Sequence, residues 1–530
     1  MKNIKHVVAL LVALGFASIV NFLCLPALNI ESKGFWWLAI STCVVFAICE
    51  TAADALADCE VSKTAVGSYI IAVVAFVGFL ICGFAGNKMI NSYKYHEYFK
   101  GYITEVSFEE AIPEEDVDSI ATMDTKSARQ YGDRKMGEAS DVISQFVVSR
   151  DYTQIALNGK PMKVAPLEHN GVVKANNNAK TGIVGYVTVD PVNRDAKFVR
   201  LSSDESILYS PSSVFSYDLT RHIRRNGYRT ALLGRTFFEL DEEGNQWWIT
   251  QVKNNSIGLF GGSVITGVLV TNPHTGEITE YSLENVPEWI DIVFDGDYIS
   301  EKYNAYGLYE NGYWNSIFGQ KGCKVTTDDF GYKVIGNDVY IFTGVTSVTA
   351  DESNVGFILT NSRTLETKYI AVNGAEEYSA MGAAEGEVQE KGYTASFPSL
   401  VNVSGEPTYV MVLKDSNGLV KNIAMVNVKQ YDIIAVADNI QEARTLYLKQ
   451  LSKRDVISNG AVEDVKTVST VINSIEYVVV DGATVVYIKT DKGVFKKEFE
   501  ESLILLDDSD AVTISFYETG ADVEYIESVK

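Results

Sequence analysis

The sequence predicts an α+β protein: N-terminal transmembrane helices, then repeated antiparallel-sheet-plus-helix modules and a small C-terminal β-barrel of OB-like form. Three observations carry that expectation. The first 85 or so residues are apolar, a strand–turn–strand phrase recurs in the acidic remainder, and short alternating runs crowd the last seventy or so residues. The formal net charge of -24 falls almost wholly outside the apolar part. Residues 1–100 hold seven Lys/Arg against six Asp/Glu, and the rest hold 38 against 63.

Residues 1–87 read as an anchor of about three helices, meeting the membrane lipid bilayer through residues 7–85. The clearest span is Ala65–Ala85, which carries no charge. A helix of roughly 20 residues crosses a bilayer core of about 30 Å. A second span runs from His6–Val7 to about Asn29, and a third from Phe35 to about Ala57, opening with Phe35, Trp36 and Trp37, which suit the interfacial belt. Glu50 and Asp54 fall late in that segment, where the cost of a carboxylate fades. The expectation there is a span of about 16 residues running out into a short surface helix. Lys2 and Lys5 resemble a signal-peptide n-region, but no small-x-small cleavage site follows, so the first segment reads as an anchor. The same lysines favour an internal N-terminus, and three spans then carry the body across. Lys88, Lys94 and Lys100 pull the other way. The acidic, β-rich, Tyr-rich character of the body points to the extracytoplasmic side of a cell membrane. Five of six cysteines lie in the membrane region, leaving Cys323 alone in the body, so no intramolecular disulfide forms there.

Residues 88–150 form a charged connector in which Met136, Ala139, Ile143 and Phe146 recur at helical spacing. Beyond it the phrase appears at Gly185–Leu201, Gly267–Leu283, Gly356–Val372 and, more worn, Ala424–Ala437. Each is an alternating run, a polar break (Asp190-Pro191, Asn272-Pro273, Asn361-Ser362) and a second alternating run, the pattern of a β-hairpin. A strand-like run precedes each copy, and a helical stretch follows it. After the first copy Ser210-Pro211 supplies a helix start, Phe215, Leu219 and Ile223 line one face, and Gly227 ends it. The expected modules are residues 151–230, 231–330, 331–395 and 396–456. Residues 457–530 form the small barrel, with strands at 465–472, 476–480, 484–489, 494–499 and 512–516.

Catalytic motifs are missing. The five histidines lie in no metal-binding spacing, so neither a metal nor another cofactor is expected. Gly258-Leu-Phe-Gly261-Gly262 precedes a strand, whereas a nucleotide loop needs a helix N-terminus, so a tight turn or bulge is expected. Asp241-Glu242-Glu243-Gly244 and Asp295-Gly296-Asp297 read as solvated turns. Arg221, His222, Arg224 and Arg225 at a helix C-terminus complement its dipole, an anion site being the lesser alternative. No nucleic-acid partner is expected: an OB-like form alone does not imply one, because phosphate binding needs clustered Lys/Arg and the C-terminal stretch is acidic. One constellation points to binding: Tyr303, Tyr306 and Tyr309 on one helical side, then Tyr313, Trp314 and Phe318 beside Asn311 and Asn315. Rings offer large rigid area and amides offer hydrogen bonds, a combination suited to sugar or peptide capture. Packing of a seam between modules is the competing use of the same residues.

The turn Asn272-Pro-His-Thr-Gly-Glu-Ile, between an alternating strand and a following helix, resembles the PepSY module. That likeness implies an extracytoplasmic α+β unit linked to peptidase restraint. The runs at 209–215 (YSPSSVF), 257–262 (IGLFGG), 311–322 (NGYWNSIFGQKG), 351–361 (DESNVGFILTN) and 374–381 (GAEEYSAM) resemble an uncharacterised family of Gram-positive bacterial membrane proteins. This second likeness covers most of the body and implies class and location, with no activity. The functional expectation is a non-enzymatic envelope protein that binds a peptide, protein or glycan partner. A PepSY-like regulator of an envelope peptidase and a structural subunit of a membrane complex are the alternatives.

Overall fold

Unbroken apolar sequence gives three long helices at the start of the computed structural model: α1 (Lys2–Cys24), α2 (Lys33–Leu56) and α3 (Lys63–Ala85). All three are long and apolar enough to cross a membrane. Ser32 caps α2 by accepting from the Phe35 N–H, and Ser62 caps α3 through the Ala65 N–H. Pro26, two residues past α1, helps stop that helix. The described residues are 2–57, 60–139, 141–348, 353–457, 465–480, 483–517 and 523–529. The chain divides into two units: Met1–Thr104 with Ala128–Asp351 and Ile358–Lys368, and Glu105–Ser127 with Glu352–Phe357 and Tyr369–Lys530.

At the ends of the spans remote from the body, the acids of α2 behave differently from the sequence expectation. α2 continues as one helix to Leu56. Glu50 and Asp54 are buried within the helix trio. Asp54 pairs with Lys5 of α1 and accepts from the Ser62 N–H at 2.7 Å. Glu50 faces His6 Nδ1 at 2.7 Å and accepts from Thr64 Oγ1 at 3.0 Å. A polar clasp therefore joins all three helices, and partners replace the water these carboxylates have lost.

Four meanders follow, each of four antiparallel strands in chain order. The first is β1 (Thr153–Leu157), β2 (Lys160–His169), β3 (Gly185–Asp190) and β4 (Asp195–Arg200); the second is β5 (Leu232–Leu240), β6 (Gln246–Ile257), β7 (Gly261–Thr271) and β8 (Ile278–Ser282). The third is β9 (Gly331–Ile335), β10 (Asp338–Ser347), β11 (Ser353–Asn361) and β12 (Thr367–Ile370), with β11 and β12 contributing residues to both units. The fourth is β13 (Ser399–Val403), β14 (Glu406–Lys414), β15 (Val420–Asn427) and β16 (Ile434–Ala437). The recurring phrase forms the last hairpin of each meander. Its turn is the same device every time: a side-chain oxygen at the end of the third strand accepts backbone N–H groups two or three residues on. Asp190 serves Val192 and Asn193, Asn272 serves His274 and Thr275, Asn361 serves Arg363 and Thr364, and Asn427 serves Gln430. In the first three copies the fifth turn residue is left-handed: Arg194, Gly276 and Leu365.

A helix follows each meander: α5 (Leu219–Arg225), α6 (Gly296–Tyr309), α7 (Glu377–Glu387) and α8 (Ile440–Lys453). Two starts differ from expectation. Asp218, not Ser210, caps α5, while Ser210 Oγ closes a local turn onto the Ser213 N–H and Phe215 stays exposed. Asp295 is no solvated turn but the cap of α6 and an ion-pair partner of Arg235. In the connector the helix is Thr125–Gly137. Phe146 belongs to a strand and Ile143 is exposed, so the expected stripe is split between two structures.

In the second unit α8 lays Ala443, Tyr447, Leu448 and Leu451 on the fourth sheet, against Val410, Val412, Ile423 and Met425. The Tyr447 hydroxyl meets Thr408 Oγ1 at 2.9 Å and Asn427 Nδ2 at 3.0 Å, so its polar end is satisfied inside the core. The last residues close a barrel of β17 (Val465–Val480), β18 (Ala483–Thr490), β19 (Gly493–Glu498), β20 (Ala511–Tyr517) and β21 (Val523–Val529). β17 is one bulged strand where two were expected, and β21 was not anticipated. The order β17-β18-β19-β21-β20 with a parallel β19–β21 pair is OB-like, and Leu503 fills the interior.

Asp54→Ala strips Lys5 of its buried partner and leaves the Ser62 N–H unpaired. It is expected to lower the melting midpoint, while the joint Lys5→Met/Asp54→Leu replacement recovers most of that loss. Thermal melting of the detergent-purified protein checks this, and equal midpoints for Asp54→Ala and wild type overturn it.

Candidate binding site

The six aromatic residues singled out above separate into two groups. α6 presents Tyr303, Tyr306 and Tyr309 on one side, but that side is covered by α4 (Lys88–Lys100), the helix that leaves the membrane. Tyr303 is buried edge-on against Phe99, with ring centroids 6.1 Å apart. Tyr306 stacks on His96 at 4.8 Å, and its carbonyl lies 2.7 Å from His96 Nδ1. Tyr309 is buried and stacks on Tyr313. Tyr303 and Tyr306 thus pack the α4–α6 seam, within which the connector helix and not a neighbouring module is the partner, and Tyr309 continues the stack to Tyr313.

The second group is open to solvent. After Gly312 the chain forms a π-helical turn, Asn315–Gly319, closed by a left-handed Gln320. Trp314 and Phe318 stack face to face with centroids 5.8 Å apart, and Tyr313 packs edge-on against Trp314 at 5.5 Å. Trp314 is 60% exposed and Phe318 79%, and Ile317 beside them is half exposed. Ile317 escaped the sequence reading because one aliphatic residue among aromatics carries no signal of its own. The amides do not join the rings as ligand groups. Asn315 Nδ2 donates to the Lys321 carbonyl at 3.0 Å, and Asn311 Nδ2 donates to the same oxygen. They hold the turn's shape, and the apolar rings are what it displays.

Hydrogen bonds along β7 give α6 its direction. Gly261, at the start of β7, abuts Gly86 at the end of α3. Lys302 donates to the Ser263 carbonyl, and the Ile265 N–H donates to the Tyr298 hydroxyl. Advancing along α6 therefore means moving back along β7 toward Gly86. The aromatic turn follows the membrane-facing end of α6.

Cys323 and the glycine cluster serve structure. Cys323 is buried, its thiol 3.4 Å from Asn315 Nδ2 and 3.5 Å from the Leu308 carbonyl, and burial pushes its pKa up. His274 bonds the Ser206 carbonyl and His169 packs against Phe146, so neither partners the thiol. Among the described residues no three His, Cys, Asp or Glu side chains converge as metal ligands. Gly258-Leu-Phe-Gly261-Gly262 is the β6–β7 hairpin turn, with Gly258 and Gly262 left-handed. Phe260 at its tip packs against Trp36 of α2 and Phe79 of α3.

One buried acid pair lies outside the membrane. Glu239 accepts the Asp291 and Ile292 N–H groups, and Asp291 accepts the Ala156 N–H at 2.9 Å. Burial holds both carboxyls above their ordinary range. The neighbouring Asp291 charge adds to the effect on Glu239, and Asp291 is pushed up to about 7. The pair ties β1, β5 and the approach to α6 together, and no cleft of useful size opens beside it. No protein-family model matches the chain, and no curated protein matches it either.

A carboxyl raised in the folded state binds its proton more tightly there than in the unfolded chain. The stability it contributes is present at about pH 4 and is lost as pH rises toward 7. Asp291→Asn is therefore expected to flatten the fall of the melting midpoint between about pH 4 and pH 7. An unchanged pH slope in that variant overturns the assignment.

Proposed function

We propose that this is a non-enzymatic, membrane-anchored protein whose acidic body stands on the extracytoplasmic side and captures a peptide, protein or glycan partner on the turn built by Tyr313, Trp314, Ile317 and Phe318. The observation carrying this reading is the stacked Trp314–Phe318 pair, held open on an ordered turn whose amides are already engaged. Large apolar rings in water are an unrealised gain, and buried aromatic anchors dominate binding energy where a partner covers them. A second reading comes from the direction of α6: the turn lies toward the membrane end of the body, so its rings would rest among lipid headgroups as an interfacial belt does.

Trp314→Ala and Phe318→Ala are each expected to weaken partner capture by full-length protein about thirtyfold, the scale of a hot-spot residue, while leaving the melting midpoint within error. Undiminished capture in both variants excludes this turn as the site. Quenching of Trp314 emission by bromine-labelled lipid in reconstituted protein selects the lipid reading instead. The side of the membrane is tested separately: protease added to intact cells is expected to degrade the body, and a protected body reverses the orientation.

A further inference from the structure

We propose that the cavity at the body-side end of α1 binds the phosphate headgroup of an anionic phospholipid. It encloses about 240 Å³ and is walled by Arg221, Arg224, Arg225 and Arg229 from the body and by Asn21 and Phe22 from α1. Four guanidinium groups gather there in a chain of net charge -24.

Two of them build the site. Arg221 is buried, donates to the Phe215 and Phe22 carbonyls at 2.8 Å each, and stacks over the Phe22 ring at 4.2 Å. Its Nε is also buried and has no hydrogen-bond partner. A buried donor left unmade is unfavourable, and an acceptor entering the cavity relieves it. Arg224 donates to the Leu25 carbonyl at 3.3 Å and to the Tyr228 and Ala231 carbonyls. By holding the Phe22 and Leu25 carbonyls these two side chains also cover the negative end of the α1 dipole, which would otherwise repel an anion. Arg225 and Arg229 are exposed and, among the described residues, enter no ion pair or side-chain hydrogen bond. The acid whose charge reaches Arg221 is Asp218, and its carboxylate is engaged as the cap of α5.

Guanidinium forks match phosphate oxygens in geometry as well as charge. The lipid source is favoured by the other wall. Asn21 and Phe22 belong to a membrane span, and their neighbours Ile19 and Leu23 are 61% and 68% exposed on its flank. A phosphate among the arginines would thus have its acyl chains lying along α1. Basic pockets beside spans take anionic headgroups, each surface cation contributing about 1 kcal/mol.

The test uses the full-length protein in detergent, with native mass spectrometry against phosphatidylglycerol, phosphatidylcholine and inorganic phosphate as separate arms. Retention of phosphatidylglycerol over phosphatidylcholine is expected, and Arg225→Ala/Arg229→Ala should weaken it about thirtyfold. Both replaced side chains are exposed and unpaired, so the lipid-free melting midpoint should not move. Equal retention of the two lipids, or undiminished phosphatidylglycerol binding by the double variant, overturns the site. Saturation by inorganic phosphate with no preference for the lipid overturns the assignment to a headgroup. None of these readouts involves the aromatic turn, so this site and the proposed function stand or fall separately.

Discussion

Backbone meeting backbone at Gly86 and Gly261 is the constraint on which the first unit depends. A Cβ on Gly261 would lie 2.3 Å from the Gly86 carbonyl oxygen, and one on Gly86 would lie 2.9 Å from the Gly261 nitrogen. Tyr95 bridges the same point, donating to the Gly86 carbonyl and accepting the Gly262 N–H. Around it the body supplies what the membrane helices lack at their ends. A helix leaves its last carbonyls unpaired, and near lipid no abundant water is at hand to satisfy them. Arg221 and Arg224 reach the Phe22 and Leu25 carbonyls, the Leu28 N–H finds the Arg229 carbonyl, and Asn255 bonds the Glu31 carbonyl. Phe260 then wedges between Trp36 and Phe79. The second meander is thus mounted directly on α2 and α3, while α5 and the residues after it hold the end of α1.

Much of this fold was legible, because its signals are local. Period-two alternation marked the hairpins, and an Asp or Asn at the break marked the turn, since a short acceptor side chain can satisfy its own neighbours' N–H groups. What failed were choices decided by distant partners. Ser210-Pro211 read as the helix start, but Ser210 closes a local turn and Asp218 caps α5. Asp295 read as a turn acid because nothing nearby in sequence announces Arg235. Glu50 and Asp54 were expected to emerge into water, whereas Lys5 and His6, more than forty residues away, meet them inside the trio. The bulge between Ile472 and Ser474 hid the continuity of β17 by breaking its alternation.

The candidate site divides along the same line. Helical spacing correctly placed Tyr303, Tyr306 and Tyr309 on one side of α6, but periodicity reports that a side is apolar and not what covers it. His96 and Phe99 of α4 supply the cover. Beyond Tyr309 the helix ends, Gly312 is left-handed and a π-helical turn follows, so the period is lost and Trp314 and Phe318 face outward. Asn311 and Asn315 looked like ligand groups beside rings, yet a turn of this shape exposes carbonyls that need donors, and the amides are consumed there.

Charge placement links these features. The body carries nearly all of the net negative charge, so a surface of anionic lipid repels it as a whole. That repulsion acts over a Debye length of about 8 Å at physiological ionic strength, so any acid farther than that from the lipid is screened out of it. The balance is set by the groups within that distance of the body-side helix ends. There the chain places Arg221, Arg224, Arg225 and Arg229 against the end of α1, with Lys33 and Lys88 at the adjoining helix starts. An acidic chain can therefore present positive charge where its spans end while the rest of its surface keeps the charge that holds it in solution.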